Sequence, residues 1–227
     1  MKHPILEKHT GDSKILRDKK HIFFDFDGTL VDSLNDVSTS INNSLIELGF
    51  EELSPTVIQS LVGPDLRDTL TTAVNHRSFD FDTFIPVYVE DYYHNCVKTT
   101  VLYDDVINIL QVLKERKKTL YILTNKPVKQ TTQIARSLKI VDYFEEIIGP
   151  DTYDKAKPDP IGIISTQKKC GLHAKDMVMI GDTEIDILTA KNANIDSVAV
   201  SYGYREKEVL NEYSPTFMIN KLKELIL

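Results

Sequence analysis

Only two cysteines occur in 227 residues, Cys96 and Cys170, and they form neither a Cys-x-x-Cys pair nor a cluster with histidine. That excludes a disulfide scaffold and a thiolate zinc site, and it makes a reduced, cytoplasmic protein the expectation. No apolar run approaches the length of a membrane span, and the polar first twenty residues lack the apolar stretch of a secretory signal. Beyond them no Lys- or Arg-rich run stands out, and the formal net charge is −7. This argues against a nucleic-acid or anionic-membrane partner, so any anionic substrate must be met by local cations. Neither an internal repeat nor a low-complexity stretch interrupts the chain, and a monomer or homodimer is expected.

What is present is a 41% hydrophobic composition, enough for one sizeable core and a smaller appended domain. From Leu34 the apolar residues Val37, Ile41, Leu45 and Leu48 recur at helical spacing until Gly49. Ser54 and Pro55 open a second helix as N-cap and first-turn proline, Asp65 to Val74 makes a third, and Asp82 to Val97 a fourth, with Pro86 tolerable in its first turn. From Val101 helices and strands alternate: helices near 105–118, 127–138, 160–170 and 184–193, strands near 119–124, 145–148, 177–181, 197–200 and 216–219. The expected fold class is α/β, a Rossmann-like parallel sheet with helices on both faces plus an inserted α-helical domain. The expected division is an N-terminal extension over 1–20, a core over 21–33 and 101–227, and a helical cap over 34–100.

Chemistry gathers where apolar strands end. His21 to Phe26 reads HIFFDF and runs into Gly28, so Asp25 and Asp27, two apart, converge on one spot if strand geometry persists. Carboxylates this close need a cation or a shared proton. Thr124 and Asn125 end a second strand with neutral groups suited to phosphate oxygens, although Asn125 is equally placed to cap the helix that follows. Lys157 precedes the first of two stiffening prolines, and Asp182 ends a third strand with Asp186 one helical turn beyond. The C-terminal edge of an open α/β sheet is where ligands bind.

The order DFDGTLVDS, LTN, KP, GDTEID resembles the four signature motifs of the haloacid dehalogenase superfamily, and the spacing is similar to its phosphoglycolate phosphatase-like branch with a helical cap. The resemblance spans residues 21–205 and implies a phosphatase acting on a small phosphorylated metabolite through an aspartyl-phosphate. It implies Asp25 as nucleophile and Asp27 as general acid and base. It also implies Mg2+ held by Asp25, Asp182 and the Asp27 backbone carbonyl, with Asp186 behind them on a metal water or on Lys157. Lys157, Thr124, Asn125 and the amides around Gly28 would bind the transferring phosphoryl group.

The same resemblance leaves a sugar phosphomutase as runner-up, a 5′-nucleotidase or pyrophosphatase within the family, and a noncatalytic phosphate sensor last. A phosphonatase would need a cap lysine, for which Lys98 is the candidate. Asn194 stands where relatives more often carry glycine, and Asn tolerates the left-handed geometry of a helix end. In the cap, Gly63-Pro64-Asp65-Leu66-Arg67 resembles a GPxL stretch of these relatives. Arg67 there either reaches an anionic part of the substrate or makes a surface pair with Asp68 or another acid.

Overall fold

The central strand β1, His21–Phe24, alternates its side chains between two buried layers. Ile22 and Phe24 enter the larger layer, while Phe23 enters the smaller one and stacks on Tyr121 at 4.7 Å between ring centroids. A strand apolar on both faces belongs in a parallel sheet covered on both sides. The computed structural model of the protein, which describes residues 14–227, has that sheet. Its other strands are β4 (Thr119–Leu123), β5 (Glu146–Ile148), β6 (Met177–Gly181), β7 (Asp196–Val200) and β8 (Phe217–Ile219), in the order β5-β4-β1-β6-β7-β8, every pair parallel. The two short strands β2 (Val31–Asp32) and β3 (Val101–Leu102) pair antiparallel where the inserted segment leaves and rejoins the core. Sequence periodicity did not reveal them, because two residues are too few to show a period.

Helices α1 (Leu34–Glu47), α2 (Pro55–Leu61), α3 (Leu66–Val74) and α4 (Phe81–Asn95) fill the segment between β2 and β3. They are followed by α5 (Val106–Glu115), α6 (Val128–Ser137), α7 (Pro150–Tyr153), α8 (Ile161–Cys170), α9 (Glu184–Asn192) and α10 (Lys207–Glu212). The Ser54 hydroxyl caps α2 through the Val57 amide, and Gly49 (φ 81°) and Asn194 (φ 56°) take the left-handed conformation beyond their helices. Pro86 lies in the second turn of α4, not the first, and forfeits one helix hydrogen bond. The helix continues because Phe84, Tyr88 and Tyr92, four apart, stack at 5.7 and 5.5 Å against the core. Burial of Phe84 and Tyr92 contributes roughly 1.5–3 kcal/mol each, comparable to the ~3 kcal/mol an interior proline costs.

The sequence-expected boundary at residue 20 falls after packing has begun: Leu16 is buried, and its carbonyl accepts from Lys118 Nζ at 2.9 Å. Residues 1–13 of the expected N-terminal extension lie outside the described part. Asp36, in the first turn of α1, accepts from the amides and hydroxyls of both Thr99 and Thr100, tying that helix to the start of β3. Burial alone would raise its pKa, but these donors outweigh burial and hold the carboxyl below its ordinary range. Among the described residues no helix is long and apolar enough to cross a membrane.

Candidate active site

Phe24 pairs with Ile122 of β4 and with Ile180 of β6, so the three central strands end within one residue of one another. The residues just past those ends, Asp25, Thr124 and Asp182, are therefore neighbours, at the point where the strand order reverses direction. Gly28 makes the approach possible: its φ is 81°, and a Cβ there would run into the Asp182 carboxylate. Asp182 Oδ1 accepts from Thr29 Oγ1 at 3.0 Å, and Oδ2 from the Tyr204 amide at 2.8 Å.

Lys157 reaches into this cluster from the segment before α8. Its ammonium lies 2.8 Å from Asp25 Oδ1 and 2.6 Å from Asp186 Oδ1, all three groups buried. The second oxygen of Asp186 accepts from the Thr183 amide at 3.0 Å and hydroxyl at 2.8 Å, so Asp186 is engaged on both sides. Carboxylate oxygens of Asp25, Asp182 and Asp186 lie within 4.8 Å of one another. Burial, then the charge of Asp186, push the Asp25 carboxyl up to about 7 against the opposing pull of Lys157. Asp182 is pushed well above the usual carboxylate range by burial, then by Asp25 and Asp186. Burial alone would lower the Lys157 ammonium, yet Asp186 and Asp25 outweigh it and keep it charged, above its ordinary value. Three buried carboxylates thus gather around a single ammonium that pairs with two of them, an excess of negative charge on hard oxygen donors.

Asp27 lies outside that trio but lines the same cleft as Asp25. Its Oδ1 accepts from the Ser33 hydroxyl and from Lys126 Nζ, the latter at 2.5 Å. Lys126 donates as well to the Tyr92 hydroxyl of α4, at 2.7 Å. Sequence reasoning missed Lys126; the available signal was its place directly after Asn125 at a sheet end, masked because a solitary lysine ordinarily belongs to the surface.

Asn125 is not a helix cap. Val128, at the start of α6, donates its amide instead to Asp151 Oδ1 at 3.0 Å. The Asn125 amide donates to the carbonyls of Gly63 at 2.8 Å and Lys157 at 3.0 Å, and its oxygen accepts from the Lys157 amide at 2.7 Å. It joins the α2–α3 loop to the lysine segment, with its amide nitrogen on two carbonyls, while its side chain lines the cleft. Thr124 lines the cleft, its hydroxyl oxygen accepting from the Lys126 amide at 3.1 Å.

A cleft of about 260 Å³ opens between the sheet edge and the helical segment, walled mainly by apolar residues such as Leu61, Leu66, Phe81, Ile85 and Tyr88. Arg67 lines it but pairs with Asp82, at 2.7 Å, rather than with Asp68, and its guanidinium lies over the Phe81 ring at 4.6 Å. Lys98 is exposed beyond the end of α4 and does not line the cleft. A second residue that sequence reasoning missed, Arg205 in the loop after β7, pairs with Glu184 at 3.0 Å and donates to the carbonyls of Gln59, Ser60 and Val62 at the end of α2. An arginine in a loop carries no sequence signal of such a contact. Gln59 returns a bond to the Tyr204 carbonyl at 2.9 Å.

A model of the haloacid dehalogenase-like hydrolases matches residues 22–200. Phosphoglycolate phosphatases of Colwellia psychrerythraea and Pseudomonas fluorescens are similar to this chain, at 34% identity over 93% of it and 97% of the first relative, and 32% over 90% of it and 78% of the second. A crystal structure described as a predicted phosphoglycolate phosphatase from Haemophilus somnus has a TM-score of 0.83 at 28% identity, covering 90% of this chain and 95% of that one. A haloacid dehalogenase-like hydrolase family protein from Streptococcus pneumoniae has a TM-score of 0.80 at 26% identity, with coverage of 90% and 95%. The matched span runs from the first residues of β1 to the end of β7 and so takes in every strand end that carries the acids. By fold and by sequence alike, the chain belongs to the haloacid dehalogenase-like hydrolases.

Proposed function

We propose that this hydrolase is a cytoplasmic, Mg2+-dependent phosphatase of small phosphate monoesters, phosphoglycolate-like in its substrate, with 21–33 and 101–227 as catalytic core and 34–100 as cap. The observation that carries the reading is the placement of Asp25 between Lys157 and Asp182, with Asp27 lining the same cleft.

In this reading Asp25 attacks phosphorus in line through Oδ2, the oxygen that no described residue's donor engages. The phosphorus–ester oxygen bond breaks, and the leaving oxygen takes a proton from Asp27, giving an alcohol and an aspartyl-phosphate. Water then attacks phosphorus and passes its proton to Asp27, the bond to Asp25 breaks, and inorganic phosphate departs with both carboxyl groups restored. Lys157, the Thr124 hydroxyl and the amides around Gly28 offset charge on the transferring oxygens. The hard oxygen set fits Mg2+, which Asp25, Asp182 and the Asp27 carbonyl would hold and which would relieve the repulsion between phosphate and the acids. Asp186 would stay on Lys157 and Thr183, fixing the lysine.

The test is phosphate release from 2-phosphoglycolate and p-nitrophenyl phosphate, with Mg2+ and with chelator. Turnover that needs Mg2+ is expected; equal rates in chelator would remove the metal from the scheme, and no release from either ester would end the phosphatase reading.

A further inference from the structure

Asp27 is tethered on one oxygen only. Ser33 and Lys126 both donate to Oδ1, and no described residue donates to Oδ2, which leaves that atom to face a leaving group. The Lys126 side chain is 8% exposed, and its ammonium spends two protons, on Asp27 and on the Tyr92 hydroxyl. Tyr92 accepts that bond, so its own proton is unspent among the described residues, and burial first, then Asp27, keep the phenol well above its ordinary pKa. Two donors therefore remain side by side next to the acid, one cationic and one neutral, at the wall of a mostly apolar cleft.

The other cations nearby are committed elsewhere. Lys157 is fastened between Asp25 and Asp186, and Arg67, its side chain 52% exposed, is paired with Asp82 over Phe81. A negative charge on the leaving group, stripped of water in this cleft, meets Lys126 as the cation beside Asp27, whereas Lys157 lies on the Asp25 and Asp186 side. The spacing suits a particular class of ester. If Asp27 protonates the ester oxygen, a carboxylate on the next carbon lies beside that oxygen, and Lys126 is one hydrogen bond from Asp27.

We propose that Lys126 and the Tyr92 hydroxyl are the residues that read the leaving group's carboxylate, on the carbon attached to the ester oxygen, and so set the preference for a phosphoglycolate-like ester over one without it. The assignment rests on the phosphatase reading above and names the residues behind its substrate preference. It passes over Arg67, for which the sequence left a substrate contact and a surface ion pair equally open. A leaving group without the carboxylate leaves a buried ammonium proton and a hydroxyl without partners, and this penalty is what discriminates.

The experiment compares kcat and KM of the Mg2+-loaded wild type and of Lys126→Met, Lys126→Arg, Tyr92→Phe and Arg67→Ala on 2-phosphoglycolate and on p-nitrophenyl phosphate. In Lys126→Met the ratio of kcat/KM between the two substrates should fall about tenfold or more, largely through KM for phosphoglycolate, the scale of one charge-assisted contact. Lys126→Arg should recover part of the ratio, Tyr92→Phe should lower it about threefold, and Arg67→Ala should leave it unchanged. Inhibition of p-nitrophenyl phosphate turnover by glycolate should weaken in parallel, a binding readout that a lysine acting only on Asp27 would not move. Equal losses on both substrates in Lys126→Met and Tyr92→Phe, or a ratio that moves only with Arg67→Ala, would overturn the assignment. Those results would leave the phosphatase reading standing, whereas a wild type that hydrolyses neither ester would remove both.

Discussion

The Lys157 ammonium lies 2.6 Å from Asp186 Oδ1, a pair 29 residues apart in the chain and buried at both ends. Asp186 also anchors the start of α9 through Thr183, so a single carboxylate positions the lysine and caps the helix. Asp186→Ala would leave Lys157 with Asp25 as its one carboxylate partner and α9 without its cap, while relieving the repulsion on Asp25 and Asp182. It is therefore expected to cost about 1–3 kcal/mol in stability, the worth of a cap and a hydrogen bond to a charged group, read from urea denaturation without metal, and to weaken Mg2+ activation about 10- to 100-fold. A variant as stable as the parent and activated at the same Mg2+ concentration would show that Lys157 is positioned by Asp25 alone.

Asp25 and Asp27 should separate kinetically. Asp25→Asn keeps the side-chain volume but loses the nucleophile, and turnover should drop to background while the protein stays folded. Asp27→Asn should still accept a phosphoryl group from p-nitrophenyl phosphate, whose leaving group needs little protonation, yet release it slowly. Rapid-quench labelling should find phosphate persisting on the protein; unchanged steady-state turnover would contradict the roles assigned.

Asp36 gives a pH signature away from the chemistry. Its carboxyl is held below the ordinary carboxylate range, outweighing burial, by donors from Thr99 and Thr100. A depressed acid contributes stability above its unfolded pKa and loses it as pH falls through the folded one. Asp36→Ala should therefore cost about 1.5–3 kcal/mol at pH 7, the worth of hydrogen bonds to a charged group, and the gap should close below about pH 4. Denaturation of both proteins across that range decides it; a gap independent of pH would assign the loss to packing.

Arg205 is the main tie between the loop after β7 and the end of α2, with Gln59 answering to Tyr204. The same stretch leads into Gly63, whose φ of 107° and close approach to Thr183 seat the α2–α3 loop against the core. Arg205→Ala should speed amide exchange in α2 and raise KM several-fold on every substrate, since it loosens the cleft wall without touching the acids. Unaltered exchange in α2 would mean that the Asn125–Gly63 bond suffices.

Much of the architecture was legible in local pattern. The runs around Phe23, Tyr121 and Met179 are apolar on both faces, as only the interior strands of a covered parallel sheet are. Helices α1 to α3 announced themselves through spacing, Ser54 and Gly49. Strands β2 and β3, the short helix α7 and the surface helix α10 did not, since none is long enough to carry a period. In the site, Asp25, Asp182 and Asp186 were readable because they follow recognisable strands and Lys157 because it directly precedes a stiffened segment, and the register of β1 with β4 and β6 then brings the strand ends together.

The sheet, its helical insertion and the acids at its edge follow from strand periodicity and chain order, which act over a few residues. How those acids are partnered came only with packing. Lys126 meets an aspartate 99 positions earlier, Asn125 spends its amide on Gly63, Arg205 grips carbonyls up to 146 positions away, and Arg67 turns to Asp82. Each of these pairings depends on where a distant helix docks, and docking is set by buried apolar faces whose mates no local window contains. A lysine or arginine looks the same in sequence whether it faces water or a buried carboxylate; the difference is desolvation, which exists only once the chain has packed around it.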